Sequence, residues 1–250
     1  MDDAALLAVL GDAAAAIGDA LGGLADWGLA GTRAGQYKSD LAADAAAIEV
    51  LTGNGFGVLS EESGRHHPDR EVTVVVDPLD GSTNAARGIP WYATSLCAVD
   101  VEGPVAALVV NLVDGTRYEA VRGQGAAGNG VPLTPSGRTT MRESLVALSG
   151  YPPRWLGWYQ YRALGAAALD LCAVAAGVVD AYLDCSWDAH GPWDYLGGAL
   201  VCIEAGAAVA DAEGRDLVVL GHDDRRTPVA AGTPALLEEC LAARASFARG

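Results

Sequence analysis

Hydrophobic and polar positions change rhythm several times along this chain, and the changes predict its elements. Residues 3–30 are Ala/Leu-rich with spaced acids and predict a helix; 31–38, with Gly31, Gly35 and Lys38, predict a turn. Residues 39–53 return to helical spacing, with Ser39 and Asp40 as caps and Leu41, Ala45, Ile48 and Leu51 on one face. "GFGVLSEESG" reads as a short strand ending in acids, "GRHHPDR" as a loop, and residues 71–76 as a strand. "WYATSLCAVD" and "PVAALVVNLVDGTRYEAVRG" predict paired antiparallel strands, with a hairpin turn at 114–115; "GNGVPLT" is a further turn. Beyond residue 140 strands and helices alternate: strands near 144–148, 178–183, 207–210 and 217–219, helices at 163–177 and 194–206. That alternation predicts layered α/β packing, and the change of texture divides the single unit 1–250 into approximate halves, 1–140 and 141–250.

One stretch breaks the logic of a buried strand. "EVTVVVDPLDGSTN" drives an apolar run into Asp77 and Asp80, with Pro78 between them. A carboxylate at the end of a buried strand is costly unless something compensates it, and a cation would. The Leu79 carbonyl is a further candidate ligand, and hard oxygen donors favour Mg²⁺, with Mn²⁺ as the alternative. The following Gly81-Ser82-Thr83-Asn84 offers backbone N–H groups at a predicted helix N-terminus, which suits a phosphate. A plain turn is the competing reading, because Asp-Pro and Asp-Gly are common turn dipeptides. An EF-hand fails, since its third, fifth and twelfth positions would be Leu79, Gly81 and Gly88, and a Walker A loop fails for want of Gly-Lys-Ser/Thr.

Three other acidic positions join this one. Glu61 and Glu62 end the preceding strand, and one of them is a candidate ligand. Asp194 follows Trp193 at a predicted helix start, where capping alone would explain it. Asp44 lies four residues after Asp40, on the same helix face.

Composition narrows the function classes. The chain has 250 residues, 51% hydrophobic and 19% charged, a globular composition. Net charge is −16 and there is no Lys/Arg block, which argues against a nucleic-acid partner. Five scattered cysteines form no C-x-x-C pair and read as reduced core thiols of a cytoplasmic protein. The acidic start is a poor signal peptide, and no apolar stretch of about 18 residues lacks charge, so no membrane partner is expected. His66, His67, His190 and His222 lack zinc-ligand spacing, and Ser60 and Ser63 lack the His/Asp partners of a serine hydrolase. Trp91, Trp155, Trp158 and Tyr159 are assigned to core or interface, and Trp193 to the core.

Taken together, "SEESG … VVVDPLDGSTNAARGIPWYATSLCAV … WDYLGGALVCIEAGA" resembles the inositol monophosphatase family, within the group that includes fructose-1,6-bisphosphatases. The resemblance spans nearly the whole chain, including Lys38–Asp44, the Gly-rich 123–130 and the Arg-x-x-Gly stretch at 162–168. It implies an α+β fold, a layered α-β-α-β-α sandwich, and a lithium-sensitive, Mg²⁺-dependent phosphomonoesterase holding two or three ions. Carried over residue by residue, Glu61 ligates the first metal, Asp77 bridges two, the Leu79 carbonyl completes the first site, and Asp80 and Asp194 hold the second. Gly81, Ser82 and Thr83 bind the phosphate, and Asp44 with the Ser82 hydroxyl orients the attacking water. Asp184, Gly165 and Ala166 are the implied substrate contacts, and the family implies a homodimer.

The departures are specific. Serine stands where the family usually has threonine, keeping the hydroxyl. Two Trp-Asp pairs occur, and Asp194 is chosen over Asp188 because ten residues separate it from Glu204. The segment 184–192 is longer than usual. Ala163 and Ala166 replace hydroxyl residues, and "LSEESG" also looks like variants acting on fructose-1,6-bisphosphate. Inositol 1-phosphate is the leading substrate. Fructose-1,6-bisphosphate, histidinol phosphate, 3′-phosphoadenosine 5′-phosphate and a phosphorylated secondary metabolite are the alternatives within the fold, and a non-enzymatic metal-dependent binding protein is the alternative outside enzymes.

Overall fold

The computed structural model describes residues 2–33 and 35–247. The first half opens with α1 (Asp3–Gly22) and α2 (Lys38–Gly53), then β1 (Gly57–Ser60), β2 (Gly64–His66) and β3 (Thr73–Asp80). The short helix α3 (Ser82–Arg87) precedes β4 (Ala93–Asp100), β5 (Gly103–Asn111), β6 (Arg117–Val121), β7 (Gly125–Gly128) and β8 (Val131–Pro132). The second half holds β9 (Leu145–Ser149), β10 (Gln160–Arg162), α4 (Ala167–Ala175), β11 (Ala181–Asp184), α5 (Pro192–Ala205), β12 (Ala208–Asp211), β13 (Pro228–Ala231) and α6 (Pro234–Ala245).

Two sheets organise these elements. The first has eight strands in the order β2-β1-β3-β4-β5-β6-β7-β8, antiparallel except where β1 runs parallel to β3. The second has five, in the order β10-β9-β11-β13-β12. Helices α1 and α2 cover the outer face of the first sheet, α4 and α5 lie between the sheets, and α6 covers the outer face of the second. The fold is therefore the α-β-α-β-α sandwich that the resemblance implies. Alternation on β3 and β5 explains why these strands read as unbroken apolar runs. Val75, Ala107 and Val109 face the middle helices, while Val74, Val76, Ala106 and Leu108 face α1 and α2. A third cluster, including Leu148, Leu183, Val229 and Leu236, lies under α6.

Several boundaries differ from the sequence expectation. Helix α1 stops at Gly22, eight residues early, at a Gly-Gly pair that gives up helix propensity. It is long and apolar enough to cross a membrane, and Leu10 and Ile17 are buried in the core. Residue 34 of the predicted 31–38 turn lies outside the described residues. In α2, the cap is Tyr37, whose N–H donates to Asp40 at 2.8 Å. Its inner face is Ala43, Ala47 and Leu51, with Leu41 exposed. The predicted loop at 64–70 begins with β2, antiparallel to β1. Residues 217–219 are not a strand, although Leu217 and Leu220 still pack on the core. Strands β10 and β13 and helix α6 were not anticipated. All five cysteines are buried and unpaired.

Candidate active site

Strand ends and one helix start converge between the halves. β3 pairs with β4 through a register shift between Asp77 and Asp80, with Asp77 opposite Ser95 and Asp80 opposite Ala93. Without such a bulge, residues three apart on a strand face opposite sides. Pro78 sits in the bulge, where its missing N–H costs no ladder bond. The Leu79 N–H donates to the Asp77 carboxylate at 3.0 Å. Glu61 follows the parallel neighbour β1, and its N–H donates to the Val76 carbonyl at 3.2 Å. Asp194 comes from the first turn of α5, which starts at Pro192, and its carboxylate accepts from the Gly191 N–H at 2.7 Å. It is thus a helix cap as well as a candidate ligand.

Glu61, Asp77 and Asp194 bring carboxylate oxygens within 4.8 Å of one another. Burial, then Asp194 and Glu62, pushes the Glu61 pKa up to about 8. Burial, then Glu61, Asp80 and Asp194, raises Asp77 well above the usual carboxylate range. Such crowding of buried acids is unfavourable for three anions and favourable around a divalent cation. An all-oxygen donor set fits a hard divalent cation and not a soft ion.

Asp80 stands beside this triad. Its two carboxylate oxygens accept from the Ala167 and Ala168 N–H groups at 3.2 and 2.7 Å, at the start of α4. Burial, then Asp194, pushes its pKa up to about 7. One carboxylate oxygen of Asp44 accepts from the Ser60 hydroxyl, and Ser60 Oγ in turn accepts from the Glu62 N–H at 3.1 Å. The hydroxyl bonded to Asp44 is that of Ser60. Ser63 also has a partner, His66 Nε2 at 2.8 Å, on the exposed hairpin.

The expected phosphate cradle is compact. Gly81 has φ 83° and caps α3, and a Cβ there would lie 3.0 Å from the Trp91 carbonyl oxygen and 3.2 Å from Gly165 O and Ala166 Cβ. Gly81, Gly165 and Ala166 are thus brought together, and only glycine suits the first of them. Asn84 ties them: its amide donates to the Trp91 and Leu164 carbonyls, each at 2.8 Å. Ser82 is partly exposed beside Gly81, and Thr83 points to solvent.

The segment 184–192 brings Asp184 and His190 together. Asp184 is completely buried, with one oxygen accepting from the Ser186 N–H at 2.8 Å and the other 3.6 Å from His190 Nε2. Its carboxylate faces His190, and it is not among the residues lining the cavity at the acids. His190 Nδ1 lies 3.4 Å from Asp194, and Nε2 lies 3.1 Å from both Tyr182 Oη and Ser149 Oγ. Burial disfavours the imidazolium, but Asp194, Asp184 and Asp80 outweigh it and push the His190 pKa up to about 9. His190 is therefore not isolated, as the sequence suggested. Asp188, the rejected alternative, pairs outward with Arg215 at 2.7 Å. Below the segment the buried Arg244 donates to the Asp184 carbonyl at 2.8 Å and to that of Ser186, stacked between Trp187 and Phe247.

A cavity of about 270 Å³ opens onto the acids, with Glu61, Ser82, Trp193, His222, Arg225 and Arg33 among its walls. His222 Nε2 lies 3.1 Å from the Glu61 carbonyl, and its ring is 5.0 Å from that of Trp193. Sequence reasoning set Ser60, His190 and His222 aside as nucleophile or zinc ligands, read Asn84 only for its backbone N–H, and did not single out Arg225. Only Asn84 had a local signal, its place directly after the Asp-Gly-Ser turn.

A profile of the Inositol monophosphatase family matches residues 38–248, and the chain belongs to that family. Among curated relatives, the Nus factor SuhB of Escherichia coli (strain K12) is 33% identical over 223 residues, covering 81% of this chain and 79% of the relative. The fructose-1,6-bisphosphatase/inositol-1-monophosphatase of Thermococcus kodakarensis is 35% identical over 210 residues, covering 82% and 80%. Among solved structures, the extragenic suppressor protein suhB of Bartonella henselae superposes with a TM-score of 0.82 at 28% identity, covering 98% of this chain and 100% of that one.

Proposed function

We propose that this chain is a Mg²⁺-dependent phosphomonoesterase acting on a small phosphorylated polyol, with inositol 1-phosphate the leading substrate. The observation that carries the reading is the buried cluster Glu61–Asp77–Asp194 in a chain of this family. Glu61, Asp77, the Leu79 carbonyl, Asp80 and Asp194 would hold the ions. Bound there, Mg²⁺ would neutralise phosphate oxygens and lower the pKa of a water. Gly81 and Ser82 would donate backbone N–H groups to the phosphate. Asp44, its carboxylate oriented by Ser60, would take the proton from the attacking water.

Fructose-1,6-bisphosphate is the second reading, supported by the name of the Thermococcus relative. A non-enzymatic metal-dependent binding protein is the reading of a different class; the name of the Escherichia relative, a Nus factor, states no enzymatic activity. Halves at 1–140 and 141–250, lithium sensitivity and a homodimer are part of the same proposal, supported by the two sheets and the family; a cytoplasmic location is proposed from the five unpaired cysteines.

The test is phosphate release from inositol 1-phosphate, fructose-1,6-bisphosphate, histidinol phosphate and 3′-phosphoadenosine 5′-phosphate, each with Mg²⁺, with chelator, and with Mg²⁺ plus lithium. Asp77→Asn is expected to lose more than the roughly 10- to 100-fold typical of a residue that only supports a ligand. Unchanged release from that variant would overturn the metal reading.

A further inference from the structure

Arg225 is unusual in its surroundings. It lies on the cavity wall, in the stretch 221–226, with Ser82 and Glu61 on the same cavity. Its guanidinium stacks over the Trp193 ring, 5.1 Å from the centroid, and Trp193 immediately precedes Asp194. Nη1 donates to the His222 and Asp224 carbonyls, each at 2.8 Å. Its other N–H groups have no acceptor, and its charge no carboxylate partner, among the described residues. The other arginine on this cavity, Arg33, is already paired with Glu62 at 2.7 Å.

We propose that Arg225 docks a second anionic group on the substrate, so that esters with a phosphate or carboxylate at the far end bind better than esters with a neutral one. The inference rests on the phosphomonoesterase reading and, within it, favours the second substrate reading, fructose 1,6-bisphosphate, over inositol 1-phosphate. A protein of net charge −16 disfavours a doubly anionic ligand in general. A half-buried guanidinium with open N–H groups offsets that locally. The Trp193 face holds the planar fork in place, so less freedom is lost when a phosphate or carboxylate binds it. Ser82 and Arg225 line the same cavity of about 270 Å³, so a ligand with its reacting phosphate at Gly81–Ser82 would share that cavity with the guanidinium.

The experiment compares the Mg²⁺-loaded protein with Arg225→Gln and Arg225→Lys on three probes: fructose 1,6-bisphosphate, 6-phosphogluconate and inositol 1-phosphate. Arg225→Gln is expected to raise KM about tenfold or more for the two doubly anionic probes, leave kcat within about twofold, and leave inositol 1-phosphate unaffected. Arg225→Lys is expected to restore most of the loss for the phosphate and less for the planar carboxylate. An equal effect on all three probes, or none, would overturn the proposal. Calorimetric titration of the same probes in an Asp44→Asn background reads docking without turnover. If no ester is cleaved, the phosphatase reading fails; an Arg225-dependent difference in binding between probes would then still support the second anion site, and its absence would remove it.

Discussion

Ser60 illustrates how a short side chain decides what a buried carboxylate faces. It ends β1, is fully buried, and its hydroxyl joins Asp44 on α2 to the Glu61–Glu62 stretch. Asp44 is itself buried, so losing that donor leaves an acceptor without a partner. Ser60→Ala is therefore expected to lower kcat for phosphate release by about tenfold with KM little changed, while Ser60→Thr keeps most of the activity. A Ser60→Ala variant with full kcat would show that Asp44 needs no such support. The acids themselves were legible in the sequence, because carboxylates ending an apolar run conflict with burial. Their partners were not. Ser60 and His222 meet Asp44 and Glu61 from 16 and 161 positions away, Arg225 stacks on Trp193 of another element, and His190, although near Asp184 and Asp194 in sequence, meets them only through the fold of 184–192.

At the scale of elements, the unanticipated α6 matters most. Thr233 caps it by accepting from the Leu236 N–H at 3.2 Å, and Pro234 takes the first helical position, so its start signals were present in the sequence. Its last turn carries Arg244 under the segment 184–188, holding two carbonyls and two aromatic faces. Arg244→Leu is expected to cost on the order of 3 kcal/mol, since buried acceptors lose a charged donor and the stacking is lost. In a thermal melt that corresponds to a Tm lower by about 6–12 °C. A shift under about 2 °C would mean that the segment holds its shape without α6. By contrast β10 has three exposed residues and no alternation, so nothing in its pattern marks a strand. The 217–219 run is apolar because it covers the core, which a strand assignment from hydrophobicity alone misreads.

For the whole molecule, the buried acids couple stability to pH. In the metal-free protein the raised carboxyl groups include Asp40 at about 6, Asp80 at about 7 and Glu61 at about 8; burial is the main cause for each. An unfolded carboxyl titrates near 4, so between about pH 4 and 8 the folded state holds more protons than the unfolded one. Stability then falls as pH rises. His190, raised to about 9, acts in the same direction, since its contribution is lost as pH passes from its unfolded value through 9. Melts in chelator are expected to show Tm declining from pH 5 to 9, and Mg²⁺ to restore more at pH 8 than at pH 5, because the cation takes the deprotonated acids. A Tm in chelator that is flat or rising over this range would refute the coupling.

Helix α5 ends the matter on a different footing. It packs against both sheets, and Gly197 and Gly198 let it approach so closely that a Cβ on either would lie 2.6 Å from Ser95 Oγ or Leu171 Cβ. Asp194 is thus pinned to the frame of the molecule, while the exposed residues 187–189 and the stretch 221–226 lie in loops attached to it. A lineage can therefore lengthen one loop or exchange an arginine in the other without displacing the acid cluster. Variation at the rim is thereby separated from the geometry of the centre.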